Sequence, residues 1–169
     1  RGASVPLAAA VAVSVPFLLH ESTARMNRGF SRLYQWHLLD KLKAGVRRKA
    51  RRLPPPLPLH ELERMRSFFD FDDRITAPLH GFLGTEDYWR RASARPHLHR
   101  IRIPALALNA RNDPFVPASS LPAAHEVGRC VTLWQPAHGG HVGFPRGRFP
   151  GHVQSLPEAV TGWMQTTSR

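Results

Sequence analysis

The stretch Ile103-Pro104-Ala105-Leu106-Ala107-Leu108-Asn109-Ala110-Arg111-Asn112-Asp113-Pro114 runs from an apolar core segment straight into an acid followed by proline. A continuous run rich in Leu and Ala, from Ile103 to Asn109, suits a parallel strand covered on both faces better than a half-exposed one. Two further runs read the same way, Ala8 to Val15 and Cys130 to Gln135. An open sheet of parallel strands carries its chemistry in the loops at the strands' carboxyl ends. Two such loops hold titratable groups: Asp113 after the second run, and His138-Gly139-Gly140-His141-Val142-Gly143-Phe144 after the third.

Parallel strands need crossovers between them. Between the second and third runs, Ala123-Ala124-His125-Glu126-Val127 predicts a short helix that stops at Gly128. After His141, a loop from Pro145 to Gly151 leads to a terminal helix with Leu156, Val160 and Trp163 on one face. The long stretch between the first two runs reads as several helices. Phe30, Leu33, Tyr34, Trp36, Leu38 and Leu39 give one helix a wide apolar side, and Leu59 to Phe68 gives another. Phe69 to Pro78 reads as a loop and Thr85 to Arg90 as a short helix. The expected architecture is one α/β domain over residues 1–169, a mostly parallel sheet with flanking helices and a helical lid insertion at about 17–100.

With 42% hydrophobic and 21% charged residues, the chain can bury a core and is not compositionally disordered. Its 16 prolines are densest at Pro54-Pro55-Pro56-Leu57-Pro58, a stiff connector. A formal charge of +12 raises nucleic acid or an anionic surface as partners. The basic residues gather at Lys41, Lys43, Arg47, Arg48, Lys49, Arg51 and Arg52, and more loosely at Arg90, Arg91, Arg95, Arg100 and Arg102. No helix-turn-helix, zinc-finger or base-stacking signature accompanies them, so the first group is read as a solvated helix face and no specific nucleic acid is expected. Peripheral contact with an anionic membrane surface stays open. A single cysteine, Cys130, excludes an intramolecular disulfide, suits a reducing, cytoplasmic compartment and is read as a buried inert thiol. The apolar stretch from Val5 to Leu19 is broken by Pro6 and Pro16 and falls short of the ~20 residues of a spanning helix, so it is read as a buried strand and its exit.

Asp113 and His141 are the candidate catalytic residues. An imidazole can take the proton of a serine hydroxyl, and a carboxylate can hold that imidazole in one tautomer and stabilise its charged form. Pro114 keeps Asp113 out of helical geometry, and Gly139 and Gly140 free the histidine loop to adopt positive φ and approach neighbouring backbone. Other readings compete. His138 and His141 with Asp113 form a thin metal set, without an obvious third or fourth ligand or the helix that i, i+3 spacing exploits. His138 is the alternative base, and Asn112 can orient the turn. Asp72 and Asp73, adjacent in sequence, are read as loop or cap residues. Gly29-Phe30-Ser31 imitates the start of a nucleophile elbow, but Arg32 and Leu33 follow where a sharp turn needs glycine; Ser14 is read as buried, not reactive. No Gly-x-Ser-x-Gly occurs in the chain.

Gly29-Phe30-Ser31-Arg32-Leu33-Tyr34, Phe71-Asp72-Asp73-Arg74-Ile75-Thr76-Ala77-Pro78-Leu79-His80-Gly81-Phe82, Asp87-Tyr88, Asn109 to Pro114 and His138 to Phe144 together resemble the YheT-type α/β hydrolases, relatives of the eukaryotic ABHD1/ABHD3 group. The likeness runs from about Ala8 to Trp163 and corresponds to the C-terminal part of such a protein. It implies a serine hydrolase acting on a small-molecule or lipid-like carboxylic ester, with Asp113 as triad acid, His141 as triad base and no cofactor or metal. The triad order Ser, acid, His along such chains puts the expected nucleophile and oxyanion hole upstream of Arg1. A chain of these 169 residues alone is then expected to be inactive and poorly soluble. Two rivals are a basic module binding nucleic acid or anionic lipid, and a non-catalytic hydrolase-like scaffold.

Overall fold

A computed structural model describes residues 6–148 and 151–167. In chain order the elements are β1 (Ala10–Val13), α1 (Leu19–Met26), α2 (Ser31–Ala50), α3 (Leu59–Arg64), α4 (Phe68–Phe71), a π-turn (Asp72–Thr76), α5 (Ala77–Leu79), α6 (Thr85–Ala92), β2 (Ala105–Leu108), β3 (Val131–Trp134) and α7 (Ser155–Thr167), with short 3-10 turns between some of them. The chain divides into two compact units, Arg1–Phe17 with Ala94–Arg169, and Leu18–Ser93.

The first unit holds the sheet. Among the described residues it has three strands in the order β1-β2-β3. Both pairings are parallel, with Val13 opposite Leu108 and Leu108 opposite Trp134. All three predicted runs form strands, trimmed at both ends. Only β2, the middle strand, is buried along its whole length. β1 is half-buried throughout and β3 alternates half-buried with exposed. The expectation of three fully covered strands therefore holds for β2 alone; β1 and β3 each pair with β2 as their one neighbour among the described residues. Phe17, Leu98, Ala107, Val116 and Leu121 form the core on this sheet, with Val131 and Leu133 packed against it. Burying side chains such as Leu106 and Leu108, at 2% and 1% exposure, contributes about 1.5–3 kcal/mol each.

The crossover between β2 and β3 contains no α-helix. Ala118–Ser120 and Ala124–Glu126 are single 3-10 turns. Pro117 and Pro122 have no amide to donate, and the Glu126 carboxylate turns back onto the Ala123 amide and the Arg95 guanidinium. Gly128 serves close approach, not helix termination: a Cβ there would lie 2.9 Å from the His99 carbonyl oxygen. Cys130 is half-buried, more open than its apolar sequence context implies. The terminal helix forms as expected, and Leu156, Val160 and Trp163 lie half-buried along it.

The second unit is helical, packed around Leu39, Leu62, Met65, Phe71 and Ile75. α2 keeps Leu39 of the expected apolar side buried but turns most of the rest of it outward. Its buried stripe is Ser31, Gln35, Leu39 and Lys43, whereas Phe30, Leu33 and Trp36 are exposed at 84%, 58% and 64%. Directional hydrogen bonds dock the helix: Gln35 donates to Asn27 Oδ1 and accepts from the Phe68 amide, and the Lys43 ammonium donates to the Glu63 and Met65 carbonyls. Lys43 thus does not belong to a solvated basic face, and Arg47 pairs with Glu63.

Phe69 to Pro78, read as a loop, is instead helical from α4 through the π-turn into α5. A capping box between Ser67 and Asp70 starts it. Asp72 and Asp73 are helical here and reach different partners. Asp72 accepts from the Trp89 indole, and Asp73 accepts from the amide and hydroxyl of Thr85 at the start of α6. Among the described residues, no helix is long and apolar enough to cross a membrane.

Candidate functional site

Because the three strands are parallel, their carboxyl ends share one rim. Ser14 leaves β1 there, Asn109 to Asp113 leaves β2, and the segment to His141 leaves β3. The ladder extends past the strands: Ser14 N donates to Leu108 O and Asn109 N to Trp134 O, while Arg111 N reaches Pro136 O.

Asp113 is buried, its side chain 0% exposed. A carboxylate can stay there only if its oxygens find donors. Oδ1 accepts from the Phe115 and Val116 amides at 2.8 and 3.2 Å, a local turn that Pro114 favours. Oδ2 lies 2.9 Å from His141 Nδ1. With the carboxylate as acceptor, Nδ1 is the donor of this bond and Nε2 is left with its lone pair. The Phe115 ring packs edge-on to the imidazole, centroids 4.9 Å apart at 83°. The His141 side chain is 31% exposed, so the ring is partly open to solvent while the acid behind it is not. This arrangement can accept a proton at Nε2 and hold the resulting imidazolium against a buried anion.

The loop carrying His141 is wound tightly. Gly140 has φ +64°, and Val142 and Phe144 adopt +65° and +44°. A Cβ on Gly139 would lie 2.5 Å from the Phe144 ring and 2.9 Å from Ala110 Cβ. Gly139 is thus required by close packing and Gly140 by its dihedral. Asn112, read as an orienting residue, accepts from the amides of both glycines at 2.9 Å.

The structure brings Asp113 and His141 together and leaves His138 out of the pair. His138 is exposed and lines a separate cavity of about 310 Å³ with Trp134, Phe144, Arg146 and Leu156. Among the described residues, no group of three His, Cys, Asp or Glu side chains could hold a metal ion. Ser31 is buried in the first turn of α2. Ser14 is buried too, but it accepts from the Val142 amide at 3.1 Å. The contacts of Phe115 and the Ser14 hydroxyl are not legible in the sequence; a residue before Pro114 signals a turn, but nothing local signals which ring or loop it meets.

Three relatives cover this chain to different extents. YheT of Escherichia coli is 39% identical over 168 residues, 98% of this chain and 49% of that protein. Phospholipase ABHD3 of Mus musculus is 29% identical over 151 residues, 88% of this chain and 37% of that protein. Monoacylglycerol lipase ABHD2 of Homo sapiens is 35% identical over 109 residues, 63% of this chain and 24% of that protein. No family model matches the chain. A parallel sheet flanked by helices and this set of similarities together put the chain in the α/β-hydrolase family, with YheT-like and ABHD3-like proteins among its relatives. It spans about half the length of YheT.

Proposed function

We propose that the protein containing this chain is a serine hydrolase of carboxylic esters in which Asp113 is the triad acid and His141 the base. The observation that carries the reading is the 2.9 Å contact between a fully buried carboxylate and the Nδ1 of a half-exposed imidazole at the carboxyl rim of a parallel sheet. That pairing is the acid and base part of a serine-hydrolase triad. The names of two relatives, a phospholipase and a monoacylglycerol lipase, favour a lipid-like or small-molecule ester as substrate. The chain has no Gly-x-Ser-x-Gly, so the serine is proposed to belong to the length of the relatives that these residues do not span. The helical unit Leu18–Ser93 falls between β1 and β2 in chain order and takes the part of the lid insertion.

The reaction would begin with serine attack on the ester carbonyl, His141 Nε2 taking the hydroxyl proton and passing it to the leaving alcohol. Water would then cleave the acyl-enzyme with His141 again as base. No step needs a metal or organic cofactor. Fluorophosphonate labelling of the full-length protein tests this reading. Labelling at one serine, lost in His141→Ala, supports it; labelling that survives His141→Ala unchanged contradicts it.

A further inference from the structure

We infer that Ser14 and Asn112 are positioning residues for His141, gripping its loop on either side of the histidine. The inference rests on the proposed role of His141 and adds the means by which that role is held in place. Asn112 Oδ1 accepts from the amides of Gly139 and Gly140, just before His141, each at 2.9 Å. Ser14 Oγ accepts from the amide of Val142, just after it, at 3.1 Å. The two acceptors come from the ends of β2 and β1, so the loop leaving β3 is tied to both other strands of the described sheet.

The backbone explains the need. Gly140, Val142 and Phe144 all have positive φ; the Phe144 amide finds the Gly139 carbonyl within the loop, whereas those of Gly139, Gly140 and Val142 take side-chain acceptors from outside it. Val142 and Ser14 are non-glycine residues with φ +65° and +52°, a conformation that persists only where surrounding contacts over-determine it. Ser14 is over-determined: its amide donates to Leu108 O, and the next carbonyl, of Val15, accepts from Asn109 Nδ2 at 3.1 Å. Its side chain is buried at 4% exposure and its hydroxyl is aimed at the loop. Two amides hold the Asp113 carboxylate on its own side. The clamp acts on the backbone that carries the imidazole, so the side chain of the acid and the loop of the base are each held by contacts other than their own pairing. Displacing such a base by about 1 Å can cost 10²-fold in rate.

The test uses the full-length protein, turnover of a p-nitrophenyl ester, and the downfield Nδ1 proton resonance of His141. Ser14→Gly suits the positive φ and removes the hydroxymethyl group; Asn112→Ala removes the other acceptor, at an exposed residue. Each is expected to lower kcat by about tenfold or more, leave KM within about twofold and broaden or shift the resonance. Asn112→Asp, which retains an accepting oxygen, is expected to restore both. Unchanged kcat and resonance in Ser14→Gly and Asn112→Ala overturn the clamp, as does a lowered melting temperature with both readouts intact. His141→Ala separates the two ideas. If it is inactive while the clamp variants are normal, the hydrolase reading stands and the clamp falls. If it is fully active, the hydrolase reading falls and the resonance alone decides the clamp.

Discussion

The Asp113 carboxylate meets His141 Nδ1 at 2.9 Å across 28 residues of chain, from the end of one strand to the loop after its neighbour. Parallel pairing in register makes this possible, because it delivers both segments to the same rim. Under the proposed mechanism the pair acts as one unit. Asp113→Asn would present an amide N–H to Nδ1 and turn the imidazole to the wrong tautomer, lowering kcat by about 10⁴-fold. Combined with His141→Ala, the loss should be no larger than for His141→Ala alone. Steady-state turnover of the three variants checks this; additive losses would show that the residues act separately.

The sheet core sets stability in the first unit. Leu106 is 2% exposed and Leu108 1%, so Leu106→Ala should cost about 2–5 kcal/mol of unfolding free energy. Denaturant melts followed by circular dichroism measure it, and a cost well under about 1 kcal/mol would mean that the strand is not covered on both faces.

In the helical unit, Lys43 should behave as a structural residue and not as a surface charge. Its ammonium serves two carbonyls, of Glu63 and Met65. Lys43→Ala leaves those oxygens unserved, a cost of about 1–3 kcal/mol, whereas Lys41→Ala, on the exposed side, should change stability by less than about 0.5 kcal/mol. Equal effects from both would place Lys43 in solvent.

Glu126 gives the fold a pH dependence with a definite sign. The hydrogen bonds from Arg95, then that from the Ala123 amide, hold its carboxyl below the usual 4.5. A folded pKa below the unfolded one means that the stabilisation is complete above the unfolded value and disappears as pH falls through the folded value. Glu126→Gln should therefore be less stable than the parent at neutral pH, with the gap closing under acid. A gap that stays constant from neutral to acid pH would exclude the ion pair as its cause.

The parts of the molecule legible in sequence are those governed by burial and by local chemistry. β2 is read directly from its apolar run, and Asp113 and His141 from an acid and a base placed after two such runs. The buried face of α2 is not legible, for a physical reason: periodicity reports apolar side chains, whereas this helix docks through the hydrogen bonds of Gln35 and Lys43 and leaves Phe30 and Trp36 outside. The helix at Asp72 to Leu79 is hidden by paired acids and Pro78, which read as breakers although the helical run continues through Pro78 to its end at Leu79. Ser14 is hidden by distance, since 128 residues separate its hydroxyl from the amide it accepts.

The most direct test of His141 as the catalytic base is the kcat/KM of the full-length protein on a p-nitrophenyl ester, with and without His141→Ala. Measurable hydrolysis is expected, falling by at least about 10³-fold in the variant while its melting temperature is kept. Hydrolysis at the parental rate in a folded His141→Ala protein would contradict that role.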